Sequence, residues 1–230
     1  RRSPRVAVLS IGDELVPPGG EPGPDQTMAS NALAIAELAA SEGAIVEDLG
    51  IARDEPDAVA ALAADVARRA DVLLTIGGAS VGDHDITREA LARAGMALDF
   101  WRIAMRPGRP LAFGRLESLR VLGFPGNPVS SFVCGMMFLR PLLRRLSGRP
   151  PEVRTEPAVL GSDVAPNGPW TAYLRARLER GTVGLPVARP LADQDSSLLS
   201  ILVGADALLV RSPDAPAAAA GSACVVLPLA

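Results

Sequence analysis

The sequence predicts an α/β fold: an open, mainly parallel three-layer αβα sheet followed by a small all-β domain. Three observations carry this expectation. Through about residue 150, uninterrupted apolar strands alternate with Ala-rich helical patterns, as expected of a sheet covered on both faces. Hydrophobic residues make up 48% of the chain and aromatic ones only 3%, so the core must be Ala, Leu and Val rather than rings. The pattern then changes at Ser147-Gly148-Arg149-Pro150-Pro151, beyond which short alternating segments are spaced by Gly and Pro turns.

Val6-Ala7-Val8-Leu9-Ser10 reads as the first strand. Residues 29–42 place Leu33, Ala36, Leu38 and Ala39 at near-helical spacing and stop at Gly43, a C-terminal cap. Residues 44–50 form a second strand, and Asp54-Glu55-Pro56-Asp57 opens a helix running to Arg69. A third strand over 71–76 closes at Gly77-Gly78, then come a short helix over 86–93 and a strand over 99–104. Residues 111–114 and 121–123 supply two more strands, and 129–146 the last long helix. The chain is thus expected to divide into an α/β domain over 1–147 and a β-barrel-like domain over 148–230. In the latter, residues 172–178, 207–210 and 224–227 read as strands and 213–220 as a loop.

Charge and composition narrow the partners. A net charge of −3, with no Lys/Arg block, gives no electrostatic case for nucleic acid. The longest uncharged apolar stretch, residues 128–139, is too short to span a bilayer. The start, Arg1-Arg2-Ser3-Pro4-Arg5, lacks the apolar segment of a signal peptide. It also lacks a methionine, and a piece of a longer protein is expected. Cys134 and Cys224 make neither a disulfide framework nor a metal cluster; they read as buried small hydrophobes in a reducing, cytoplasmic setting.

Two segments look built to hold an oxyanion. Gly123-Phe124-Pro125-Gly126-Asn127-Pro128 joins an apolar strand to a helix. Gly126 can take a positive φ there and Pro128 suits the first helical position, which aims free backbone N–H groups above the strand. Upstream, Arg106-Pro107-Gly108-Arg109-Pro110 sets two guanidiniums on a stiff, Gly-hinged loop. Carboxylates mark three strand-end turns: Asp13 and Glu14 after the first strand, Asp54 and Glu55 after the second, Asp83 and Asp85 after the third. In a doubly wound sheet such turns converge on one edge, where carboxylates hold a divalent cation that bridges to a phosphate. Helix capping is the competing reading for Asp54 and Asp85, and a solvated side chain for the lone His84. Glu14 precedes no helix. The glycine loops match neither the dinucleotide fingerprint nor the phosphate-binding loop of nucleotide hydrolases.

Together these motifs resemble the molybdopterin molybdenumtransferase family, whose eukaryotic relatives include gephyrin. The resemblance lies in Ser10-Ile11-Gly12-Asp13-Glu14-Leu15, Ser30-Asn31, Arg53-Asp54-Glu55-Pro56 and Gly77-Gly78-Ala79-Ser80-Val81-Gly82-Asp83-His84-Asp85. Met105-Arg106-Pro107-Gly108-Arg109-Pro110 and Gly123-Phe124-Pro125-Gly126-Asn127-Pro128-Val129-Ser130 complete the ordered set. Ala172-Tyr173-Leu174-Arg175-Ala176 and Gln194-Asp195-Ser196-Ser197 extend it more weakly into the last domain.

The resemblance implies a sheet of the molybdopterin-binding type and the final insertion step of molybdenum cofactor synthesis. Adenylylated molybdopterin and molybdate bind, the adenylate is cleaved with Mg2+, AMP leaves, and molybdenum is captured by the dithiolene. By motif, Glu14, Asp54 and Asp85 become the catalytic and cation-holding acids. Ser80, Arg106, Arg109, Pro110 and Arg175 surround the molybdate, with Ser196 or Ser200 as a further hydroxyl. Gly12, Asp13, Gly77, Gly78, Gly82, Gly126, Asn127, Pro128 and Ser130 line the pterin site. The resemblance also implies a homodimer, contact with the adenylyltransferase, and two further domains ahead of this segment that complete the site from a partner subunit. Residues 1–230 alone are therefore expected to bind adenylylated molybdopterin and to insert molybdenum poorly or not at all. The family's usual Lys-Pro-Gly-Lys-Pro is Arg106-Pro107-Gly108-Arg109-Pro110 here, which keeps charge but changes shape and hydration. The alternatives are a molybdopterin adenylyltransferase, which usually lacks the β extension, and a non-catalytic molybdopterin-binding or scaffold module.

Overall fold

The computed structural model describes residues 2–78, 86–181 and 184–229. In chain order come β1 (Arg5–Ile11), β2 (Leu15–Val16), β3 (Thr27–Met28), α1 (Ser30–Ser41), β4 (Ile45–Ala52), α2 (Pro56–Val66), β5 (Val72–Gly77) and α3 (Ile86–Arg93). Next are β6 (Ala97–Trp101), β7 (Met105–Arg106), β8 (Ala112–Leu116), β9 (Leu119–Phe124) and α4 (Pro128–Cys134). A π turn (Gly135–Leu139) joins α4 to α5 (Arg140–Leu146). The remainder comprises β10 (Glu156–Leu160), β11 (Thr171–Glu179), β12 (Val187–Pro190), α6 (Leu199–Val203), β13 (Ala207–Arg211) and β14 (Ala223–Pro228). The chain forms two compact units: Arg1–Ile103 with Pro110–Pro151, and Ala104–Arg109 with Glu152–Ala230.

In the first unit six strands lie in the order β4-β1-β5-β9-β8-β6. β4, β1, β5 and β9 are parallel; β8 is antiparallel to β9 and to β6, so β6 again runs with β9. β1 and β5 are buried almost throughout because helices cover both faces. Val59, Ala63 and Val66 of α2 and Ala90 and Leu91 of α3 pack with Leu9, Ile11, Leu73 and Val121 of the sheet. On the other side α1 meets α4, and a Cβ at Gly135 would fall 2.6 Å from Leu38 Cδ2 and 3.1 Å from Ile35 Cδ1. That approach requires glycine.

The helix expected over 129–146 is thus three consecutive segments. The Arg140 N–H reaches back to the Gly135 carbonyl, the wider turn of a π register, one residue before Pro141. Proline has no N–H and its ring crowds the preceding turn, so the widening falls where an α register is costly. At the C-terminus of α1, Gly43 takes φ 78° just past the helix end. There Glu42, its side chain 5% exposed, meets Arg140, Arg144 and Arg149 within 3.1 Å.

The second unit is a small closed barrel. Its sheet runs β12-β10-β14-β13-β11-β7, and an additional β11–β12 pairing closes it. Ala158, Ala176, Ala188 and Ala207 fill much of its interior with Leu160, Leu209 and Val226; small side chains suit so narrow a barrel. β7 adds to β11 in parallel, pairing Thr171 with Met105 and Ala172 with Arg106. The strand expected over 99–104 stops at Trp101 because Arg102 takes φ 65°, which a strand cannot accommodate. Residues 105–106 are then strand β7 of the other unit.

Candidate functional site

The carboxyl ends of β1, β4 and β5 coincide. Ile11 pairs with Ala52 on one side and with Gly77 on the other, and the Gly12 N–H donates to the Ala52 carbonyl at 3.2 Å. Asp13 and Glu14 therefore rise beside the turn that carries Asp54. A Cβ on Gly12 would lie 2.5 Å from Glu14 Oε2, so glycine leaves the room into which the Glu14 carboxylate folds.

Asp54 does not cap α2. The N-cap is Glu55, without a side-chain cap hydrogen bond, while Asp54 Oδ1 is buried and has no hydrogen-bond partner. The Asp54 N–H reaches Asp13 Oδ1 at 3.5 Å. Burial pushes the Asp54 carboxyl up; a backbone hydrogen bond from Asp13 opposes this, and the charges of Asp13 and Glu14 push it further up. A desolvated, like-charged oxygen without a donor is what a cation relieves. Asp54 with Glu14 and Asp13 thus fits a divalent ion in donor chemistry, although among the described residues no three His, Cys, Asp or Glu side chains are grouped closely enough to hold one unaided. Asp85, with Ser80, Gly82, Asp83 and His84, lies outside the described residues.

Next to this cluster two glycine turns pack backbone to backbone. A Cβ on Gly77 would sit 2.3 Å from the Ile11 carbonyl oxygen, and one on Gly78 2.4 Å from Thr87 Oγ1. Both residues have positive φ, 89° and 64°. Gly126 does not take the positive φ expected of it; its place is set by approach, since an added Cβ would lie 3.8 Å from Gly77 Cα. Asn31 Nδ2 donates to the Gly126 carbonyl at 2.5 Å, tying the start of α1 to this turn. Asn127 is the extended N-cap of α4, Pro128 opens the helix, and the buried Ser130 lies in its first turn. The result is a floor of bare backbone at the ends of β5 and β9.

The basic residues belong to the second unit, apart from Pro110, which opens the return to the first. Arg106 and Arg109 are exposed and flank buried Pro107 and Gly108; the Arg106 guanidinium lies 5.6 Å from the Trp170 ring centroid. Arg175 is 1% exposed. Its Nη1 donates to the Tyr173 carbonyl at 3.3 Å, while Nε and Nη2 are buried without partners. Burial pushes its pKa down, Asp193 and Asp195 hold it up, and the charge of Arg106 pushes it down. Guanidinium stays protonated in proteins, so Arg175 is a buried cation with two unused donors. Gln194 brackets it: Oε1 accepts the Arg175 N–H at 2.9 Å, and Nε2 donates to the Arg175 carbonyl at 3.0 Å. The turn so anchored carries Ser196, partly exposed; Ser200 is exposed on α6.

Sequence reading passed over Gln194 as a structural brace, and Trp101 with its two stacked arginines. Trp101 had a signal: it is one of two tryptophans in an aromatic-poor chain, and it ends a strand.

Comparison with known proteins gives these features a family. The family described as "Probable molybdopterin binding domain" matches residues 7–145, and "MoeA C-terminal region (domain IV)" matches residues 157–229. Molybdopterin molybdenumtransferase of Haemophilus influenzae is 37% identical over 148 residues, 64% of this chain and 36% of that protein. That of Bacillus subtilis is 30% identical over 211 residues, 91% of this chain and 49% of that protein. The molybdopterin biosynthesis MoeA protein of Pyrococcus horikoshii superposes with a TM-score of 0.84 at 27% identity, covering 99% of this chain and 55% of that one. The chain thus spans between a third and a half of the length of these curated relatives. The chain belongs to the molybdopterin-binding domain family, in the arrangement where the MoeA C-terminal region follows that domain.

Proposed function

We propose that this chain serves the insertion step of molybdenum cofactor synthesis, in which the phosphoanhydride of adenylylated molybdopterin is hydrolysed to release AMP and the dithiolene captures molybdenum from molybdate. The observation that carries the reading is Asp54 Oδ1, buried and without a partner beside Asp13 and Glu14, on the strand-end turn that the family's acidic motif occupies. The match of residues 157–229 to the MoeA C-terminal region supports insertion over adenylylation.

The chain's own residues divide the work. Gly77, Gly78 and Gly126 let the pterin phosphate approach the backbone, with Gly12, Asn127, Pro128 and Ser130 around them. Glu14 and Asp54, with Asp85, would hold a Mg2+ ion. Bound there, Mg2+ supplies charge that offsets the phosphoanhydride and its leaving phosphate. Asp54, its carboxyl pushed up and its Oδ1 without a partner, is the acid whose ionisation the ion would favour. Arg175 offers Nε and Nη2 to a tetrahedral dianion from a dry position, where charge-assisted hydrogen bonds are strong. Arg106 and Arg109 attract that dianion from solvent, and Ser196 adds a hydroxyl; Ser80, Gly82 and Pro110 complete the assignment. Homodimerisation, contact with an adenylyltransferase and a cytoplasmic setting belong to the same proposal. Two free cysteines and, among the described residues, no helix long and apolar enough to cross a membrane accord with it.

Equilibrium binding of adenylylated molybdopterin, followed by quantifying AMP in a single turnover at stoichiometric protein, tests the reading. Mg2+-dependent binding is expected, with AMP formed only when molybdate is present. A pterin that does not bind overturns it.

A further inference from the structure

The barrel wall of the second unit has a gap beside one residue. On one side β11 pairs with β13 from Ala172 to Ala176. On the other, its pairing with β7 ends at Ala172 and its pairing with β12 begins at Ala176. Among the described residues, therefore, no strand flanks Tyr173, Leu174 and Arg175 on that side. Side chains finish the wall instead. Gln194 Oε1 accepts the Arg175 N–H at 2.9 Å, and Gln194 Nε2 donates to the Arg175 carbonyl at 3.0 Å and to the Leu191 carbonyl at 2.8 Å. The Leu191 N–H, just past β12, reaches the same Arg175 carbonyl at 2.9 Å. One primary amide thus supplies the acceptor and the donor that a neighbouring peptide group would.

The place of Arg175 makes this brace consequential. Leu174, Ala176 and Leu178 pack in the barrel core, so Arg175 springs from the outer face of β11. It is nonetheless 1% exposed, with Nε and Nη2 lacking partners. A buried cation with open donors costs stability until an anion meets it. The direction of those donors is set by the backbone from which the side chain leaves. Asp193 and Asp195, whose charges act on Arg175, bond within their own turn. Asp193 Oδ1 accepts the Asp195 N–H at 2.8 Å, and Asp195 Oδ1 accepts the Ser197 N–H and hydroxyl at 2.9 Å each. An amide at 194 holds the Arg175 backbone without adding a charge that competes with an oxyanion.

We propose that Gln194 is a positioning residue for Arg175: it closes the gap in the wall, fixes the Arg175 backbone and so aims Nε and Nη2 at the oxyanion substrate. The assignment rests on the function proposed above. Fixing the backbone beforehand limits the freedom lost on binding. An ionised carboxylate, which only accepts, could not take the place of the amide.

Calorimetric titration of molybdate into the unaltered chain, Gln194→Ala, Arg175→Ala and the double variant tests this, with thermal melts showing that each chain is folded. Gln194→Ala should weaken molybdate binding on the order of tenfold while Arg175 is present. It should have no further effect once Arg175 is alanine, because a residue that acts only through its neighbour shows complete coupling in such a cycle. Gln194→Glu keeps the side chain's length and the bond from the Arg175 N–H, and serves where the alanine variant does not fold. It should weaken binding at least as much, since it cannot donate to the Arg175 carbonyl and adds negative charge beside the guanidinium. Equal weakening by Gln194→Ala in both backgrounds, or a lowered Tm with molybdate affinity intact, overturns the inference and leaves the proposed function standing. Absence of molybdate binding by the unaltered chain overturns both.

Discussion

At Asp54, burial first and then the charges of Asp13 and Glu14 raise the carboxyl pKa above the ordinary carboxylate value. The folded chain therefore binds a proton in a window where the unfolded chain has released it. Stability falls as pH rises from the ordinary carboxylate value through the raised one, and the deficit persists at neutral pH. Asp54→Asn should consequently raise the Tm at pH 7 in the absence of divalent ions while removing any Tm gain on adding Mg2+. This is the stability cost expected of a functional carboxylate, and thermal melts with and without Mg2+ check it. Arg109 poses the opposite case, an exposed charge whose attraction for an oxyanion is screened by salt. Molybdate affinity should fall with ionic strength, and Arg109→Ala should weaken it by about 1.5–3 kcal/mol, the scale of a hydrogen bond to a charged group. Calorimetry at two salt concentrations reads both.

Among the elements, the joint between α1 and α5 hangs on Glu42. Burial raises its carboxyl, but the hydrogen bond and charge of Arg144 with the charges of Arg140 and Arg149 outweigh that, and its pKa lies below the usual value. The group stabilises the fold above its unfolded pKa, and the contribution is lost as pH falls through the lowered folded value. Glu42→Ala leaves three guanidiniums facing one another and should cost about 3–5 kcal/mol, the range for breaking a buried pair. Denaturant unfolding at pH 7 measures it. Glu42→Gln should flatten the acid limb of the stability profile.

For the molecule as a whole, β1 and β5 were legible because apolar strands buried on both faces need no alternation. The closed barrel was legible as short alternating strands between Gly and Pro turns. The break at Trp101 was not, because a non-glycine residue at positive φ leaves no mark in hydropathy. The π turn breaks a run that hydropathy reads as one helix, and Pro141 is its mark in the sequence. Glu14 and Asp54 could be picked out as carboxylates on strand-end turns. That Asp54 leaves the α2 cap to Glu55 and keeps an oxygen unpaired required coordinates. The resemblance alone placed Arg175 around the molybdate, and only its burial shows two donors in reserve.

In the proposed function the Asp54 cluster recruits a divalent ion for the adenylylated substrate. Its most direct test is the affinity for adenylylated molybdopterin as a function of Mg2+ concentration, measured for the unaltered chain and for Asp54→Asn. Mg2+ should strengthen binding to the unaltered chain on the order of tenfold or more, while the Asp54→Asn chain should bind the pterin with no Mg2+ dependence. Equal strengthening in both chains, or none in the unaltered one, would contradict it.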